Sequence, residues 1–322
     1  MSNQTRVTEF LLHGFSEIQE LQTFYSCVFL IIYLVALMEN LLIIISIIYN
    51  LHLHKPMYFF LANLASQDLG SLSVSIPKSM TNSFLDIRTI SYSGCVSQVF
   101  FLIFFMGSHY FLLGVMAYDR YVAICNPLHY ETVMTQKTCI QMAASAWITG
   151  FIYSIIYTGN AFTPDFCSNE INHFFCEIPQ LIRISCSESY VIKIWVVSAG
   201  CCLAFVYFVL IIYSYVQIFK AVLRIPSAHG KQKAFSTCLP HLMVVSLFMI
   251  SGTFAYLGPA SSTPSTLNLW VSVFYCIAPP LMNPLIYSMR NRELKMAFWK
   301  LTVKLFSHLT FPHVGNWMHF RK

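Results

Sequence analysis

The chain has 322 residues, of which 57% are hydrophobic and only 10% are charged, whereas soluble domains carry about 25% charged residues. This composition excludes an ordinary soluble domain and indicates an integral membrane protein. The net charge of +6 is concentrated on one side of the predicted membrane, so it reports orientation and does not indicate binding to nucleic acid.

Seven apolar segments are long enough to cross a membrane as helices. They lie at 25–49, 57–80, 96–118, 139–159, 195–219, 238–257 and 267–289. The sequence therefore predicts an all-α membrane protein, with a seven-transmembrane helix bundle at 25–289 and a short amphipathic eighth helix. An extracellular segment at 1–24 would precede the bundle, and the eighth helix with the cytoplasmic tail would occupy 290–322.

Basic residues predict the orientation of the bundle, because Lys and Arg accumulate in cytoplasmic loops. One side of the predicted membrane holds 14 of the 19 basic residues, including those of the C-terminal tail. We therefore expect a multi-pass plasma-membrane protein with the N-terminus outside and the C-terminus inside. We see no removable signal peptide, and Asn3 fits a glycosylation acceptor on the outer side.

Glu39, Asn40 and Asp68 stand out among the polar residues inside the first two spans. Asn40 is expected to form a hydrogen bond between helices, while the neighbouring Glu39 is either a tolerated, destabilising residue or a functional one. Asp68 in the second span needs a partner, because a buried unpaired carboxylate is costly. Asn40, His109 and Asn283 are the candidate partners.

The third span places a set of residues on one helix face, with spacings of 4, 3, 4, 3 and 4. The set is Leu102, Met106, His109, Leu113, Met116 and Arg120. It would link an outer ligand pocket mechanically to Arg120, or it is an ordinary buried helix face. The pair of Asp119 and Arg120 is expected where the helix meets the cytoplasm, and an interfacial arginine that serves only to reach water is the simpler alternative.

The loop at about 158–194 is too long for a simple turn and contains three cysteines, which favours an ordered extracellular lid. Those cysteines and the one at the outer end of the third span face the oxidising side. They are Cys95, Cys167, Cys176 and Cys186. Four cysteines allow three pairings, and the residues alone do not choose among them.

The sixth and seventh spans carry the features expected of a movable inner end. No Asp or Glu occurs from 220 to 257, so Arg120 would be restrained by Asp119, by hydroxyls such as that of Tyr215, or by main-chain carbonyls. Prolines in 279–284 make a hinge, and Asn283, Tyr287 or water would satisfy the carbonyls that they free. Residues 290–300 alternate basic and apolar positions as an interfacial helix does.

Six sequence blocks occur in order along the predicted spans. They are PMYFFLANLASQD at 56–68, MAYDRYVAICNPLHY at 116–130, HFFCEIP at 173–179, SY at 214–215, KAFSTCLPHL at 233–242 and PPLMNPLIYSMRN at 279–291. Through these blocks the sequence resembles the vertebrate odorant receptors of the rhodopsin-like G-protein-coupled receptor superfamily over nearly its whole length.

The resemblance implies that an odorant bound within the helix bundle favours a state that admits a stimulatory, olfactory-type G protein and raises cyclic AMP. In that state Arg120 contacts the G protein. In the other state Asp119 restrains Arg120. The implied coupling residues are Asp119, Arg120, Tyr121, Tyr215, His241, Asn283, Pro284 and Tyr287. The implied disulfides are Cys95–Cys176 and Cys167–Cys186. The implied ligand pocket comprises Leu102, Ile103, Met106, Gly107, Ala199, Leu203, Met249, Gly252, Thr253 and Tyr256.

Three positions depart from the family pattern. Glu39 stands where the family has Gly, which predicts impaired folding or surface delivery, and Met249 stands where Tyr is common. His109 replaces an acid found in many members. We expect an Asp68–His109 pair where relatives could hold sodium, and therefore weak modulation by sodium.

The residues also restrict the ligand. No carboxylate lies in 96–108 to pair with an amine, and the seventh span has no Lys to hold retinal. We expect small, neutral, largely apolar ligands, with Tyr256 or Thr253 offering a hydrogen bond. No cofactor or metal site is predicted.

Three other classes remain as alternatives. A transporter or channel would show internal repeats or paired broken helices, and the helix breaks do not recur in two halves. An enzyme would need a catalytic set around His109 or His241, and none accompanies them. The nearest alternative is a rhodopsin-like receptor for a metabolite outside olfaction.

Overall fold

The computed structural model of the protein describes residues 7–13, 18–85, 87–163, 166–171, 173–224, 226–257, 266–290, 294–296, 299 and 302–303. The predicted glycosylation acceptor Asn3 lies outside these residues, as does most of the predicted tail. Beyond the bundle, where the short amphipathic helix was predicted, the described residues 294–296, 299 and 302–303 are helical. This segment is distinct from the helix labelled α8 below.

Seven long helices dominate the described part of the chain, and each overlaps one predicted span. They are α1 (Gln19–Tyr49), α2 (Pro56–Leu85), α3 (Tyr92–Cys125), α5 (Gln136–Phe162), α7 (Ser187–Arg224), α8 (Ala228–Leu257) and α9 (Thr266–Arg290). The short helices α4 (Tyr130–Val133) and α6 (Ile178–Arg183) lie in the connections.

Five of the described helices are long and apolar enough to cross a membrane by length and composition alone: α1, α3, α5, and the Val191–Arg224 and Ala228–Thr253 parts of α7 and α8. Helices α2 and α9, of 30 and 25 residues, pack among them and exceed the ~20 residues that a span needs. Large aliphatic side chains remain exposed on the bundle, such as Ile31 (62%) and Ile148 (59%). Such a surface is suited to lipid.

Local signals set where several helices begin. Pro56 opens α2, where its missing N–H costs nothing because the first turn has no intrahelical acceptor for it. The Ser91 hydroxyl accepts a hydrogen bond from the Gly94 amide (3.1 Å) at the start of α3. The Thr135 hydroxyl accepts from the Thr138 amide (3.2 Å) at the start of α5. These side chains satisfy amides that the helices leave free.

A small three-stranded sheet covers one end of the bundle, and the sequence did not predict it. Strand β1 (Glu9–Leu12) pairs antiparallel with β2 (Thr89–Ser91) and parallel with β3 (Glu170–Ile171). Phe10 of β1 is fully buried in an apolar cluster beneath the sheet. The sheet therefore ties the N-terminal segment to the long loop. We call this the outer end, and the opposite end, with Arg120, the inner end.

Two disulfides hold the loop at the outer end. Cys95 at the start of α3 is bonded to Cys176, and Cys167 is bonded to Cys186. Both pairings implied by the family resemblance are therefore present. The described part of the loop contains β3 and α6, and we call it the lid after the prediction.

Helices α3 and α5 approach closely because small residues face each other. A Cβ atom at Gly150 would overlap the backbone of Ser108, so no larger residue fits there. A Cβ at Gly107 would lie 3.6 Å from the Gly150 Cα. Gly107, predicted to contact a ligand, thus faces α5.

Candidate functional site

A buried polar centre joins α2, α3 and α9, and it consists of Asp68, His109 and Asn283. His109 Nδ1 lies 3.1 Å from Asp68 Oδ1, and Asn283 Nδ2 donates to Asp68 Oδ2 at 2.8 Å. All three residues are 3% exposed or less. Two of the three candidate partners of Asp68 are therefore in contact with its carboxylate.

Asn40, the third candidate, forms a different link. Its Nδ2 donates to the Pro280 carbonyl (2.9 Å) and to the Ala36 carbonyl (2.8 Å). The Pro280 carbonyl is free because Pro284, four residues later, has no N–H to donate to it. The predicted partners of the freed carbonyls were Asn283, Tyr287 or water, and for Pro280 the structure adds a partner from α1 that was not among them.

A small cavity lies beside the polar centre, with a volume of about 10 Å³, enough for about one water molecule. Its lining residues come from four helices: Gln67, Asp68, Ser71, Phe105, Met106, His109, Phe248, Tyr275, Cys276, Pro279 and Pro280. Of the predicted ligand residues, Met106 alone lines this cavity. The aromatic walls and Gln67 were missed by the sequence analysis, because a motif does not show which side of a helix meets an empty space.

The other predicted ligand residues are distributed around the cavity. Leu102 is buried one helical turn above Met106, in a cluster with Phe174 and Phe175 of the lid. Ile103 is buried in the separate cluster under the sheet. The structure does not bring the α7 residues to this space, because Ala199 is exposed and Leu203 is 68% exposed.

The predicted residues on α8 lie toward its outer half. Met249 is partly buried against the main core, Thr253 is exposed, and a Cβ at Gly252 would meet no atom within 4 Å. The side chain of Tyr256 lies outside the described residues. The space around Gly252 and Thr253 is therefore open compared with the packed cavity deeper in the bundle.

The lid reaches into the outer end of the bundle through polar bonds. Gln98 of α3 donates to the Val74 carbonyl (3.2 Å) and accepts from the Cys176 amide (2.9 Å). The Ser79 hydroxyl donates to the Phe174 carbonyl (3.1 Å). The lid is thus fastened to α2 and α3 next to the Cys95–Cys176 disulfide.

His173 is a buried titratable residue of the lid. Neither ring nitrogen has a hydrogen-bond partner, and its Nε2 lies 3.9 Å from Glu177 Oε1, beyond hydrogen-bond distance. Desolvation lowers the pKa of His173 to about 3. The carboxylate would favour the charged imidazole, but burial outweighs it at this distance, so His173 is neutral at physiological pH.

The inner end holds a second cluster, formed by Asp119, Arg120 and Tyr130. Arg120 Nε donates to Asp119 Oδ2 (2.9 Å), and Arg120 Nη2 bonds the same oxygen. The Tyr130 hydroxyl donates to Asp119 Oδ1 (2.8 Å). Burial, with the Asp119 carboxylate as the next cause, raises the pKa of Tyr130, which keeps its hydroxyl protonated as a donor.

Of the restraints expected for Arg120, the contact with Asp119 is present, and the Tyr215 hydroxyl has a different partner. Asp119 holds Arg120, whose side chain is 12% exposed, as predicted. The Tyr215 hydroxyl instead pairs with His241 Nδ1 (2.7 Å), joining α7 to α8. Tyr130 was missed, because the helical spacing used for the other residues does not extend through the connection into α4.

The remaining predicted coupling residues are found in the main core and in α9. Tyr121 is partly buried against the main core, and Tyr287 is 8% exposed in the same cluster. Pro284 is buried within α9. Glu39 of α1 is half-buried, and its Oε2 has no hydrogen-bond partner.

Comparison with known proteins agrees with this architecture. Residues 29–304 match the family model described as Olfactory receptor. The chain is 47% identical to human Olfactory receptor 14A16 over 94% of its own length and 97% of that protein. It is 47% identical to human Olfactory receptor 14I1, over 95% of the chain and 99% of the relative. It is 45% identical to human Olfactory receptor 14A2, over 95% and 98%.

Proposed function

The chain belongs to the olfactory receptor family of G-protein-coupled receptors, and we propose that it binds small, neutral, largely apolar odorants within its helix bundle. Binding activates a stimulatory, olfactory-type G protein and raises cyclic AMP. The protein is a receptor of the plasma membrane and not an enzyme.

The inner-end cluster is the observation that carries the proposal. Among the described residues, the side-chain hydrogen bonds of Arg120 go to Asp119, which in turn accepts one from Tyr130 of α4, so Arg120 can be released without breaking a covalent bond. Helix α8 has no acid to hold Arg120 from across the cleft. A modest change in the packing of α3 would therefore be enough to free the guanidinium for a cytoplasmic partner.

The coupling route runs through the prolines of α9. Asp68 contacts α3 through His109 and α9 through Asn283, the residue before Pro284. A ligand that presses Met106 or His109 would act on α9 through this carboxylate, because His109 and Asn283 both contact it directly. Asn40 anchors the opposite side of the same hinge.

The proposed ligand site comprises the small cavity and the open space on the outer side of it. Met106 and Leu102 form the α3 wall of this site, and Gly252 and Thr253 form its α8 wall. Ile103, Gly107, Met249 and Tyr256 remain assigned to it by the family resemblance, together with Ala199 and Leu203.

The proposed topology places the sheet and the lid outside the cell and the inner-end cluster in the cytoplasm. Residues 1–24, with Asn3 glycosylated, form the extracellular segment, 25–289 the receptor domain, and 290–322 the eighth helix and tail. We also expect weak sodium modulation, since His109 and Asn283 already occupy both oxygens of Asp68. A strong sodium effect that Asp68→Asn abolishes would contradict this expectation.

A cyclic-AMP reporter assay against a chemically diverse odorant panel tests the function, with surface expression measured in parallel. The wild-type receptor should respond to some members. Arg120→Ala should abolish the response and leave surface expression unchanged, whereas Arg183→Ala, an exposed arginine of the lid, should keep the response. Silence of a well-expressed wild-type receptor toward the whole panel would contradict the proposal.

A further inference from the structure

Two residues that line the cavity, Gln67 and His109, carry polar atoms with no hydrogen-bond partner among the described residues. Gln67 is 1% exposed, and neither its Nε2 nor its Oε1 forms a hydrogen bond. His109, 3% exposed, has no partner for its Nε2. Leaving such groups unpaired costs about 1–3 kcal/mol each. Three unsatisfied atoms on residues that line one cavity indicate that something polar belongs there.

The hydrogen-bonding pattern restricts what that group is. His109 Nδ1 faces a carboxylate oxygen, which can only accept, so Nδ1 carries the hydrogen. In an imidazole that carries its hydrogen on Nδ1, Nε2 has the lone pair and accepts a hydrogen bond. Gln67 offers one acceptor and two donor hydrogens. The complementary group must both donate and accept, as a hydroxyl does.

Other polar groups fit less well. An aldehyde or ether oxygen accepts from Gln67 and leaves His109 Nε2 unsatisfied. An ammonium group donates to His109 Nε2, but it has no lone pair to accept from Gln67 Nε2, and its charge is costly to bury. The volume of about 10 Å³ also suits one small oxygen and excludes a bulky head group.

The rest of the ligand has an apolar path toward the outer end. Met106, Phe105 and Phe248 line the cavity beside the polar atoms. Leu102 lies one turn of α3 closer to the outer end than Met106 and is buried in the adjoining cluster. His109 is seven positions after Leu102, and this offset corresponds to about 10 Å along the helix. Met106 is flexible enough to move for an alkyl chain.

We propose that this cavity is the subsite for the hydroxyl group of a small aliphatic alcohol, with Gln67 and His109 as its hydrogen-bonding residues. The inference rests on the proposed receptor function and specifies its ligand class. The hydroxyl displaces any water held there, donates to His109 Nε2 and accepts from Gln67 Nε2. The hydroxyl contacts Nε2 of His109, and Nδ1 of the same ring contacts Asp68. Asp68 in turn accepts a hydrogen bond from Asn283 at the hinge.

The test compares octan-1-ol, octanal, octyl methyl ether and octylamine, with shorter and longer members of each series, in the cyclic-AMP assay. We expect alcohols to be the most potent, by about 10-fold over the matched ethers, since one or two buried hydrogen bonds are worth about 1.4 kcal/mol. Gln67→Leu should weaken alcohols and ethers alike, because both accept from Gln67 Nε2, and should leave the alcohol-to-ether ratio, which depends on donation to His109 Nε2, unchanged. The matched control is Gln141→Leu, the same change at an exposed position of α5.

Each outcome decides the proposal. Equal potency of alcohols and ethers, a preference for octylamine, or a panel in which other odorants act and no alcohol does would overturn the hydroxyl subsite and leave the receptor function intact. No response to any odorant at good surface expression would instead defeat the receptor function. If Gln67→Leu does not reach the surface, the alcohol-to-ether ratio of the wild-type receptor decides.

Discussion

The two ends of the bundle are built differently. The outer end is held by two disulfides, a three-stranded sheet and the hydrogen bonds of Gln98 and Ser79. The inner end is held by the ion pair of Asp119 with Arg120, the hydroxyl of Tyr130 and the contact of Tyr215 with His241. Covalent bonds keep the outer end as a fixed frame, so a change at the ligand site is expressed where the contacts are reversible.

Removing the disulfides is the strongest way to break this comparison. Loop-closure entropy predicts a loss of about 4.5 kcal/mol for the Cys95–Cys176 bond, which spans 81 residues, and about 3 kcal/mol for Cys167–Cys186, which spans 19. Cys95→Ala should therefore nearly abolish surface expression, and Cys167→Ala should reduce it less. Cys27→Ala, an exposed free cysteine, is the control. Normal surface levels of Cys95→Ala would show that the outer frame is not needed.

The next largest effect concerns Glu39, which belongs to neither end. Glu39 lies in α1, and its Oε2 has no hydrogen-bond partner among the described residues. An acid within a transmembrane helix costs about 2.5–3.5 kcal/mol. Glu39→Gly should raise surface expression several-fold. Glu20→Gly, at an exposed position near the start of α1, should not. A fall in surface expression on Glu39→Gly would assign Glu39 a stabilising role.

A smaller change tests the inner end. Tyr130→Phe removes the hydroxyl that bonds Asp119, and a hydrogen bond to a charged group contributes about 1.5–3 kcal/mol. We expect basal cyclic AMP to rise about 3- to 10-fold at equal surface expression, because part of this energy favours the resting state. Tyr118→Phe is the matched control, because Tyr118 is 43% exposed and directly precedes Asp119 on α3. Unchanged basal signalling would remove Tyr130 from the restraint.

The smallest effect tests the lid by pH. The folded pKa of His173 is about 3, against 6.5 for the exposed residue, so the unfolded state binds more protons between these values. Its stabilising contribution is complete above pH 6.5 and decreases as the pH falls toward 3. Purified receptor should lose about 1.4 kcal/mol between pH 7.5 and 5.5 through this residue. In thermal unfolding, His173→Phe should show a smaller pH dependence than wild type by that amount, and an equal dependence would contradict the burial of a neutral imidazole.

Features carried by strong local signals could be predicted from the sequence. The spans follow from runs of apolar residues, and the contact of Asp68 with His109 follows from the need of a buried carboxylate for a partner. The disulfide pairing was not available from the cysteine positions and came from the family resemblance. The Asp119–Arg120 contact joins neighbours in the chain.

Contacts that depend on three-dimensional placement were missed. The sheet joins strands of two to four residues, and β1 lies about 80 residues from β2 and about 160 from β3 in the chain. Such short strands leave no periodic pattern. Gln67 and Phe248 line a cavity that exists only once α2 and α8 have packed. The exposure of Leu203 depends on the rotation of α7 about its axis, which an evenly apolar helix does not reveal.

Distances measured at both ends of one receptor test the central claim most directly. One pair of spin labels is placed at the inner end, on Leu128 in the α3–α4 connection and on Gln232 in the first turns of α8. A second pair is placed at the outer end, on Ser93 and Ser168. All four positions are exposed, and the two pairs report the two ends separately. On adding an agonist, the Leu128–Gln232 distance should increase by several ångströms, and the Ser93–Ser168 distance should stay unchanged. A fixed inner distance with a shifted outer distance would contradict the account.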